Sequence, residues 1–195
     1  MLSLKNSLAI LKKTNALIEG HFVLSSGRHS GQYVQCAKLL SKPNYSKKIC
    51  ISLSKKIKKR YKNINLILAP AIGGIIIGYE IGRLLNLETI FCERVKKKFQ
   101  LRRGFVIPKN SNVLIVEDVI TTGKSSIECS ELIKDSKANL VGFACIIDRT
   151  KAEINAKWPN STNPIMQSLI NHQATICYQL WYDRDFASQT TLYIV

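Results

Sequence analysis

The sequence predicts an α/β fold, in which a mainly parallel, doubly wound sheet carries helices on both faces. Apolar runs at residues 64–69, 113–116 and 140–147 are short, which is typical of strands buried on both faces. The first two runs lead into glycine-containing turns and then into helical patterns. Strands that alternate with helices in this order form parallel sheets through right-handed crossovers. At 195 residues the chain has the size of a single domain.

The first forty residues predict one helix and two strands. Leu4, Leu8, Leu11 and Ile18 recur at helical spacing, so an amphipathic helix is expected over this stretch. Residues 20–30 indicate a short strand with a polar turn, and residues 32–37 alternate like a second strand.

The next segment predicts a helix after Pro43, a core strand at 64–69, a tight turn at 70–74 and a helix at 75–85. Gly73 and Gly74 of the turn have two explanations that the sequence leaves equally open. Glycines can bring backbone amides against a pyrophosphate, and they can also allow close packing of a strand on a helix.

A strand at 89–92 leads into a strongly basic segment, residues 93–104, with six cations against one acid. This segment is either a solvated hairpin or a mobile cover whose cations meet a leaving pyrophosphate. Its position in the chain favours the mobile cover.

Residues 113–126 are the most informative stretch of the chain. The buried strand ends in Glu117 and Asp118, which are costly to place in a core unless they face a cleft. The Thr-Thr-Gly turn that follows leaves amides free at a helix start, where an anion is stabilised. Acceptors for hydroxyls beside donors for a phosphate suit a sugar phosphate. A P-loop is excluded because Asp118 occupies the position of its first glycine, and a core strand with an acidic capping turn is the structural alternative.

The C-terminal part predicts a helix at 125–135 and a strand at 140–147 that ends in Asp148 and Arg149. Arg149 would either pair bidentately with a substrate carboxylate or form a surface pair with Asp148. A late strand is expected at 174–178, and the remaining tail carries no interpretable pattern.

Composition narrows the class of protein. The formal charge of +16 fits either a phosphate-rich partner or lysines on solvated helix faces, and the absence of interleaved aromatic residues makes a nucleic-acid surface the less favoured choice. The six cysteines form no C-x-x-C pair, which predicts buried thiols in a reducing, cytoplasmic compartment. Residues 66–79 are too short and too rich in glycine to span a membrane.

Residues 113–126 resemble the binding signature of the type I phosphoribosyltransferases, which transfer ribose 5-phosphate from phosphoribosyl pyrophosphate (PRPP). The resemblance implies that Glu117 and a catalytic Asp118 hold the ribose hydroxyls and that the following loop wraps the 5′-phosphate. It also implies pyrophosphate binding by Arg94 and by Lys98, to which we assign a catalytic role, on a flexible loop commonly donated across a homodimer; residues 93–104 would then be shared between subunits. The remaining PRPP-binding positions implied in this way are Val119, Ile120, Thr121, Thr122, Gly123, Lys124 and Ser125.

Residues 22–37, residues 101–105 and Arg149 resemble the orotate-specific members of that family. The resemblance implies a hood over the pyrimidine at about 18–40, with 150–195 as a candidate addition, and a core at about 44–149 within one domain, 1–195. It assigns Arg149 and Thr121 to orotate. Ser25 and Val95 stand where many members carry lysine.

The implied reaction is a Mg²⁺-dependent transfer that converts orotate and PRPP to orotidine 5′-phosphate and pyrophosphate, in the de novo synthesis of pyrimidines. The Mg²⁺ would be held mainly by substrate and water, without dedicated protein ligands. Two alternatives are a purine phosphoribosyltransferase and a non-catalytic regulatory member of the fold that binds nucleic acid.

Overall fold

The N-terminal residues form a small unit beside the main sheet. In order it contains α1 (Leu4–Lys13), β1 (Leu17–Val23), β2 (His29–Val34) and α2 (Cys36–Leu40), and β1 pairs with β2 in an antiparallel two-stranded sheet. Helix α1 ends at Thr14 because Asn15 adopts a left-handed φ of 56°. Ile18 therefore lies in β1, and its assignment to the helix was wrong. The computed structural model describes residues 2–23, 29–121 and 123–148, together with the backbone at 175–176 and 193–194.

The rest of the described chain alternates between helices and strands, as the sequence predicted. These elements are α3 (Pro43–Arg60), β3 (Leu66–Pro70), α4 (Gly73–Leu85), β4 (Glu88–Val95), β5 (Lys98–Leu101), β6 (Asn112–Ile120), α5 (Lys124–Asp135), β7 (Asn139–Asp148), β8 (Thr175–Ile176) and β9 (Tyr193–Ile194).

One seven-stranded sheet organises these elements. Its strand order is β5-β4-β3-β6-β7-β8, with β9 paired to β7. Strands β3, β4, β6, β7 and β8 are parallel to their neighbours, whereas β5 and β9 run antiparallel. The prediction of a doubly wound, mainly parallel sheet is confirmed.

Buried aliphatic residues explain why β6 lies near the centre of this sheet. Val113, Leu114, Ile115 and Val116 are fully buried, so both faces of the strand are covered. On β3, close packing of α4 depends on a small residue, because a Cβ at Gly78 would lie only 2.7 Å from the Cβ of Ala69. Helix α4 is thereby packed closely against the sheet.

The described residues include no helix that combines the length and the apolar character needed to cross a membrane.

Candidate functional site

The candidate site lies where the carboxyl ends of β3, β4 and β6 meet. Parallel strands bring their carboxyl ends to one edge of the sheet, which is where α/β proteins bind ligands. Helix α4 begins directly after β3, and α5 begins directly after β6. The two helix N-termini therefore flank the acidic residues of β6.

Glu117 is buried on the α5 side of the sheet. Its side chain is 8% exposed, and the Ser126 hydroxyl donates a hydrogen bond of 2.6 Å to Oε1. Burial raises the pKa of Glu117 from 4.5 to about 7, and the negative charge of Asp118 adds to this effect; the Ser126 hydrogen bond and the positive charge of Arg94 act against it. In the free protein this carboxyl group therefore titrates near neutral pH.

Asp118 faces the opposite side of the sheet, as strand alternation requires. An added Cβ at Gly73 would lie 2.5 Å from Asp118 Oδ1, so the carboxylate is in contact with the start of α4. The backbone N–H of Val119 donates to Oδ1 at 2.9 Å. Burial raises the pKa of Asp118, and this hydrogen bond limits the rise. Although the two acids are neighbours in sequence, they occupy different environments and do not face one cleft side by side.

The turn between β3 and α4 runs directly beside Asp118. Its Ala71–Ile72 peptide bond is cis, and the Ala71 N–H donates to the Cys92 carbonyl at 2.8 Å. A Cβ at Gly74 would lie 2.9 Å from the Val116 carbonyl oxygen. Gly74 thus accounts for close packing, while Gly73 keeps the space in front of a carboxylate open. Both explanations for the glycine pair have a counterpart in the structure.

The N-terminus of α5 offers donors without a competing side chain. Gly123 adopts a left-handed φ of 71° as the N-cap residue, makes no side-chain cap hydrogen bond, and is followed by a first turn without acidic residues. The first amides of a helix lack partners within the helix and attract anions. Thr121 and Ser125 are half-buried at this terminus, and Lys124 is exposed.

Some predicted PRPP-binding residues can act only through the backbone, or lie outside the described residues. The Ile120 side chain is 1% exposed and belongs to the core, so only its backbone is available to a ligand. The Val119 N–H is already directed at Asp118. Thr122, Ser25 and Arg149 lie outside the described residues; Arg149 directly follows Asp148, which pairs with Ile120 at the same edge of the sheet.

The basic segment 93–104 is a formed hairpin in the structure. Strands β4 and β5 pair through Glu93↔Gln100, Arg94↔Phe99 and Val95↔Lys98. Lys96 and Lys97 form the two-residue tip with φ values of 47° and 69°. Left-handed conformation at both positions is the geometry of a tight hairpin turn.

Three arginines of this hairpin have acidic partners. Arg94 Nη1 donates to Glu128 Oε2 at 2.6 Å, and Arg103 Nη2 donates to Glu93 Oε1 at 2.9 Å. Arg102 Nη1 lies 3.8 Å from Glu93 Oε2, within ion-pair range but too far for a hydrogen bond. Arg94 thus has its anion on α5, whereas Arg102 and Arg103 have theirs within the segment itself, at Glu93. The formed hairpin is the alternative that the sequence did not favour, and a role as a mobile cover stays a prediction.

Arg94 and Lys98 lie on opposite faces of the hairpin. Arg94 shares a face with Phe99, whose ring centroid is 4.2 Å from the guanidinium carbon, and this face meets α5. Lys98 shares a face with Val95, on the side of α4. Of these two cations, Arg94 is the one on the side of Glu117, in agreement with its effect on the pKa of that residue.

Sequence reasoning missed three residues that shape the site: Ser126, Glu128 and the role of Gly73 before Asp118. The spacing of Lys124 and Glu128, four residues apart on a helix, was a usable signal for an ion pair. The Ser126–Glu117 and Gly73–Asp118 contacts depend on the assembled sheet and had no local signal. Among the described residues, no three His, Cys, Asp or Glu side chains are grouped so that they could hold a metal ion.

Comparisons with known proteins give the class first. The family described as "Phosphoribosyl transferase domain" matches residues 38–166. The fold agrees, since an orotate phosphoribosyltransferase from Aeropyrum pernix superposes with a TM-score of 0.65 at 24% identity, over 76% of this chain and 86% of that one.

Relatives of higher identity narrow the class. Orotate phosphoribosyltransferase of Helicobacter pylori strain G27 is 44% identical over 141 residues, covering 72% of this chain and 70% of the relative. Orotate phosphoribosyltransferase of Caldicellulosiruptor bescii is 44% identical over 153 residues, covering 78% of this chain and 80% of the relative. The chain belongs to the phosphoribosyltransferase family and, within it, to the orotate phosphoribosyltransferases.

Proposed function

We propose that this chain transfers ribose 5-phosphate from PRPP to orotate, releasing orotidine 5′-phosphate and pyrophosphate as a step of pyrimidine synthesis. The supporting observation is the end of β6, where Asp118 stands between the uncapped start of α5 and the glycine turn of α4. Hydroxyl acceptors and phosphate donors lie within one short stretch there. The 44% identity to orotate enzymes supports orotate as the accepting base.

The ribose ring and the 5′-phosphate are bound at the β6–α5 junction. The 5′-phosphate meets the amides of the turn 121–125, where the helix dipole favours an anion. Asp118 accepts hydrogen bonds from the ribose hydroxyls and stabilises the positive charge that develops on the ring as pyrophosphate leaves. Glu117 acts from the other face of the strand, and ionisation of its carboxyl group near pH 7 tunes its strength as an acceptor.

The leaving pyrophosphate is bound by the glycine turn and the basic hairpin. The turn 70–74 lies beside Asp118, and Arg94 approaches from β4. Cations in this position neutralise charge that grows on the leaving group in the transition state. No covalent intermediate is required, since positioning and electrostatics account for such a transfer.

The residues present fit a Mg²⁺ ion held mainly by PRPP and water. Oxygen atoms are the ligands that this ion prefers, and in phosphate-transferring sites it keeps most of them from substrate and water. When bound, Mg²⁺ supplies charge neutralisation at the pyrophosphate.

The orotate end of the site is assigned to the hood and to the edge formed by β6 and β7. Thr121 ends β6 at this edge, and Arg149 follows β7. A guanidinium there would bind the orotate carboxylate bidentately. The β1–β2 sheet reaches the site through α2, since Cys36 Sγ lies 3.8 Å from the Asp118 carbonyl oxygen.

The functional unit is proposed to be a homodimer. Ile72, Ile76 and Tyr79 form an exposed apolar stripe along α4, with exposed fractions of 87%, 56% and 67%. A cavity of about 310 Å³ lies beside the stripe, between α4 and the Phe91 side of β4. Contiguous apolar surface of this kind marks an interaction site. The occupant is a second copy, because Lys98 lies on this same side and is turned away from Glu117 of its own chain.

The thiols support a reducing, cytoplasmic compartment. Five described cysteines are free and buried. The Cys92 and Cys129 sulfurs lie 3.2 Å apart, within hydrogen-bond distance of two thiols. Buried cysteines that serve as small apolar side chains are compatible with this compartment.

A panel of bases tests the proposal. The purified protein is incubated with PRPP, Mg²⁺ and orotate, uracil, adenine, hypoxanthine or guanine, and pyrophosphate release is measured. Pyrophosphate release is expected with orotate and with none of the other four bases. Release with a purine would support a purine enzyme, and no release with any base, together with retention of RNA or DNA at physiological salt, would support the regulatory alternative.

A further inference from the structure

Glu128 occupies a central position among the cations of the site. It lies one turn after Lys124 on α5, and its side chain is 22% exposed. One of its oxygens accepts from Arg94 at 2.6 Å, and the other lies 3.9 Å from Lys124 Nζ. A single carboxylate thus links the hairpin to the start of the phosphate-binding helix.

The bond to Glu128 fixes Arg94 without occupying all its donors. Both hydrogen bonds that the guanidinium makes within the described part of the chain use Nη1, which donates to Glu128 and to the Lys97 carbonyl at 2.8 Å. Phe99 covers its flat face at 4.2 Å. Within the described part of the chain, Nε and Nη2 make no hydrogen bond, so one edge of the fork remains available.

The guanidinium of Arg94 lies beside the start of α5. Its bond to Glu128, one turn after Lys124, places it next to the helix terminus that is proposed to bind phosphate, and its charge also lowers the pKa of Glu117 at the end of β6. A guanidinium clamped on one edge and one face loses little further freedom when it binds a phosphate. Glu128 therefore prepares Arg94 for the pyrophosphate of PRPP.

We propose that Glu128 is a positioning residue of the transfer reaction: it holds Arg94 and Lys124 in place for the phosphates of PRPP. This inference rests on the proposed function. The direction of the change in phosphate affinity distinguishes this positioning role from that of a bystander residue. A negative charge near a phosphate repels it, so neutralising a bystander Glu128 would tighten binding, whereas neutralising a positioning Glu128 weakens binding.

The test compares Glu128→Gln with Glu131→Gln, which makes the same charge change at an exposed position on the same helix. Binding of inorganic pyrophosphate with Mg²⁺ is measured by calorimetry, and kcat and KM are measured with orotate and PRPP. For Glu128→Gln we expect about tenfold weaker pyrophosphate binding, a higher KM for PRPP and an unchanged KM for orotate. Glu131→Gln should match the wild type, and Glu128→Asp, which keeps the charge but shortens the reach, should also weaken binding.

A double-mutant cycle with Arg94→Gln gives the decisive readout. If Glu128 acts through Arg94, adding Glu128→Gln to Arg94→Gln should cause little further loss, because neighbouring residues in one network are not additive. Additive losses, or tighter pyrophosphate binding by Glu128→Gln, would overturn the proposal. If Glu128→Gln unfolds, Glu128→Asp carries the same comparison. Absence of transfer by the wild type would refute the proposed function, whereas the calorimetric comparison tests Glu128 independently of turnover.

Discussion

The acidic end of β6 and the basic hairpin of β4 and β5 both lie at the carboxyl ends of the parallel strands, but they are built in different ways. The β6 end is formed by contiguous sequence: a buried strand, two acids, a turn and a helix start within 113–126. In the hairpin, by contrast, the functional side chain Arg94 is fixed by a residue distant in sequence, since it is bonded to Glu128, 34 residues away. One region is therefore specified locally, and the other depends on the assembled fold.

This difference corresponds to a division of labour. In the proposed reaction, the β6–α5 junction would bind the ribose phosphate, which stays with the product, and the hairpin would bind the pyrophosphate, which leaves. A rigid buried strand suits the part that must be positioned, whereas a hairpin at a sheet edge can adjust as charge moves onto the leaving group. Changes in the two regions should therefore have separable effects.

The largest expected effect is on the β6 side. Asp118→Asn removes the charge that stabilises the developing positive ring, and loss of one such group costs about 10²–10³ in rate. The rate of pyrophosphate release with orotate and PRPP measures the effect, and thermal melting should show an intact fold. Turnover equal to the wild type in a folded variant would contradict the role of Asp118.

A second prediction concerns the cost of burying Glu117. Because its pKa is about 7 when folded and 4.5 when exposed, the two states bind the same number of protons below about pH 4.5. Between pH 4.5 and about pH 7 the carboxyl group of Glu117 is ionised in the unfolded chain but protonated in the folded one, so the free energy of unfolding falls as the pH rises. Above about pH 7 the group is ionised in both states, and the destabilisation from burying its charge is constant. Its upper limit is about 3 kcal/mol.

Glu117→Gln should remove that slope while keeping an acceptor for Ser126. The variant should therefore unfold at a higher temperature than the wild type at pH 8 and at a similar temperature at pH 4.5. Glu131→Gln is the control, because it removes an exposed acid from α5. An unchanged pH slope in Glu117→Gln would show that the penalty arises elsewhere.

On the hairpin side, Lys98→Ala should lower kcat by about tenfold and affect PRPP binding less, since the leaving-group charge grows in the transition state. Mixing it with Asp118→Asn tests whether Lys98 serves a partner's site. After subunit exchange, half the dimers are mixed and each holds one site with both residues intact, so activity should recover to about a quarter of the wild type. No recovery, with exchange verified, would place Lys98 in its own subunit's site or in neither.

The part of the site that could be predicted from sequence follows the same division. Residues 113–126 were sufficient to locate the end of β6, the turn and the start of α5, because strand, turn and helix signals were contiguous. The separation of Glu117 and Asp118 onto opposite faces follows from strand alternation. The expectation that both acids hold the ribose hydroxyls did not take this alternation into account. The position of Arg94 was not predictable from the charges of 93–104 alone, since Glu128 becomes its partner only after α5 packs against β4.

The fold was predictable at the level of the sheet and less so at its margins. Core strands and the helices between them were identified because their apolar patterns were long and periodic. Ile18 was misplaced because three correctly spaced leucines extended the helical pattern past Asn15, where the backbone turns. The proposed roles of Thr122 and Arg149 lie outside the described residues and remain predictions.

The division of labour is tested most directly with the two halves of PRPP. Wild type, Asp118→Asn and Arg94→Gln are titrated by calorimetry with ribose 5-phosphate and, separately, with pyrophosphate and Mg²⁺. Asp118→Asn should weaken binding of ribose 5-phosphate and not of pyrophosphate, whereas Arg94→Gln should weaken pyrophosphate by about tenfold and leave ribose 5-phosphate unchanged. Equal weakening of both ligands by either substitution would contradict the assignment of the two regions to the two halves of the substrate.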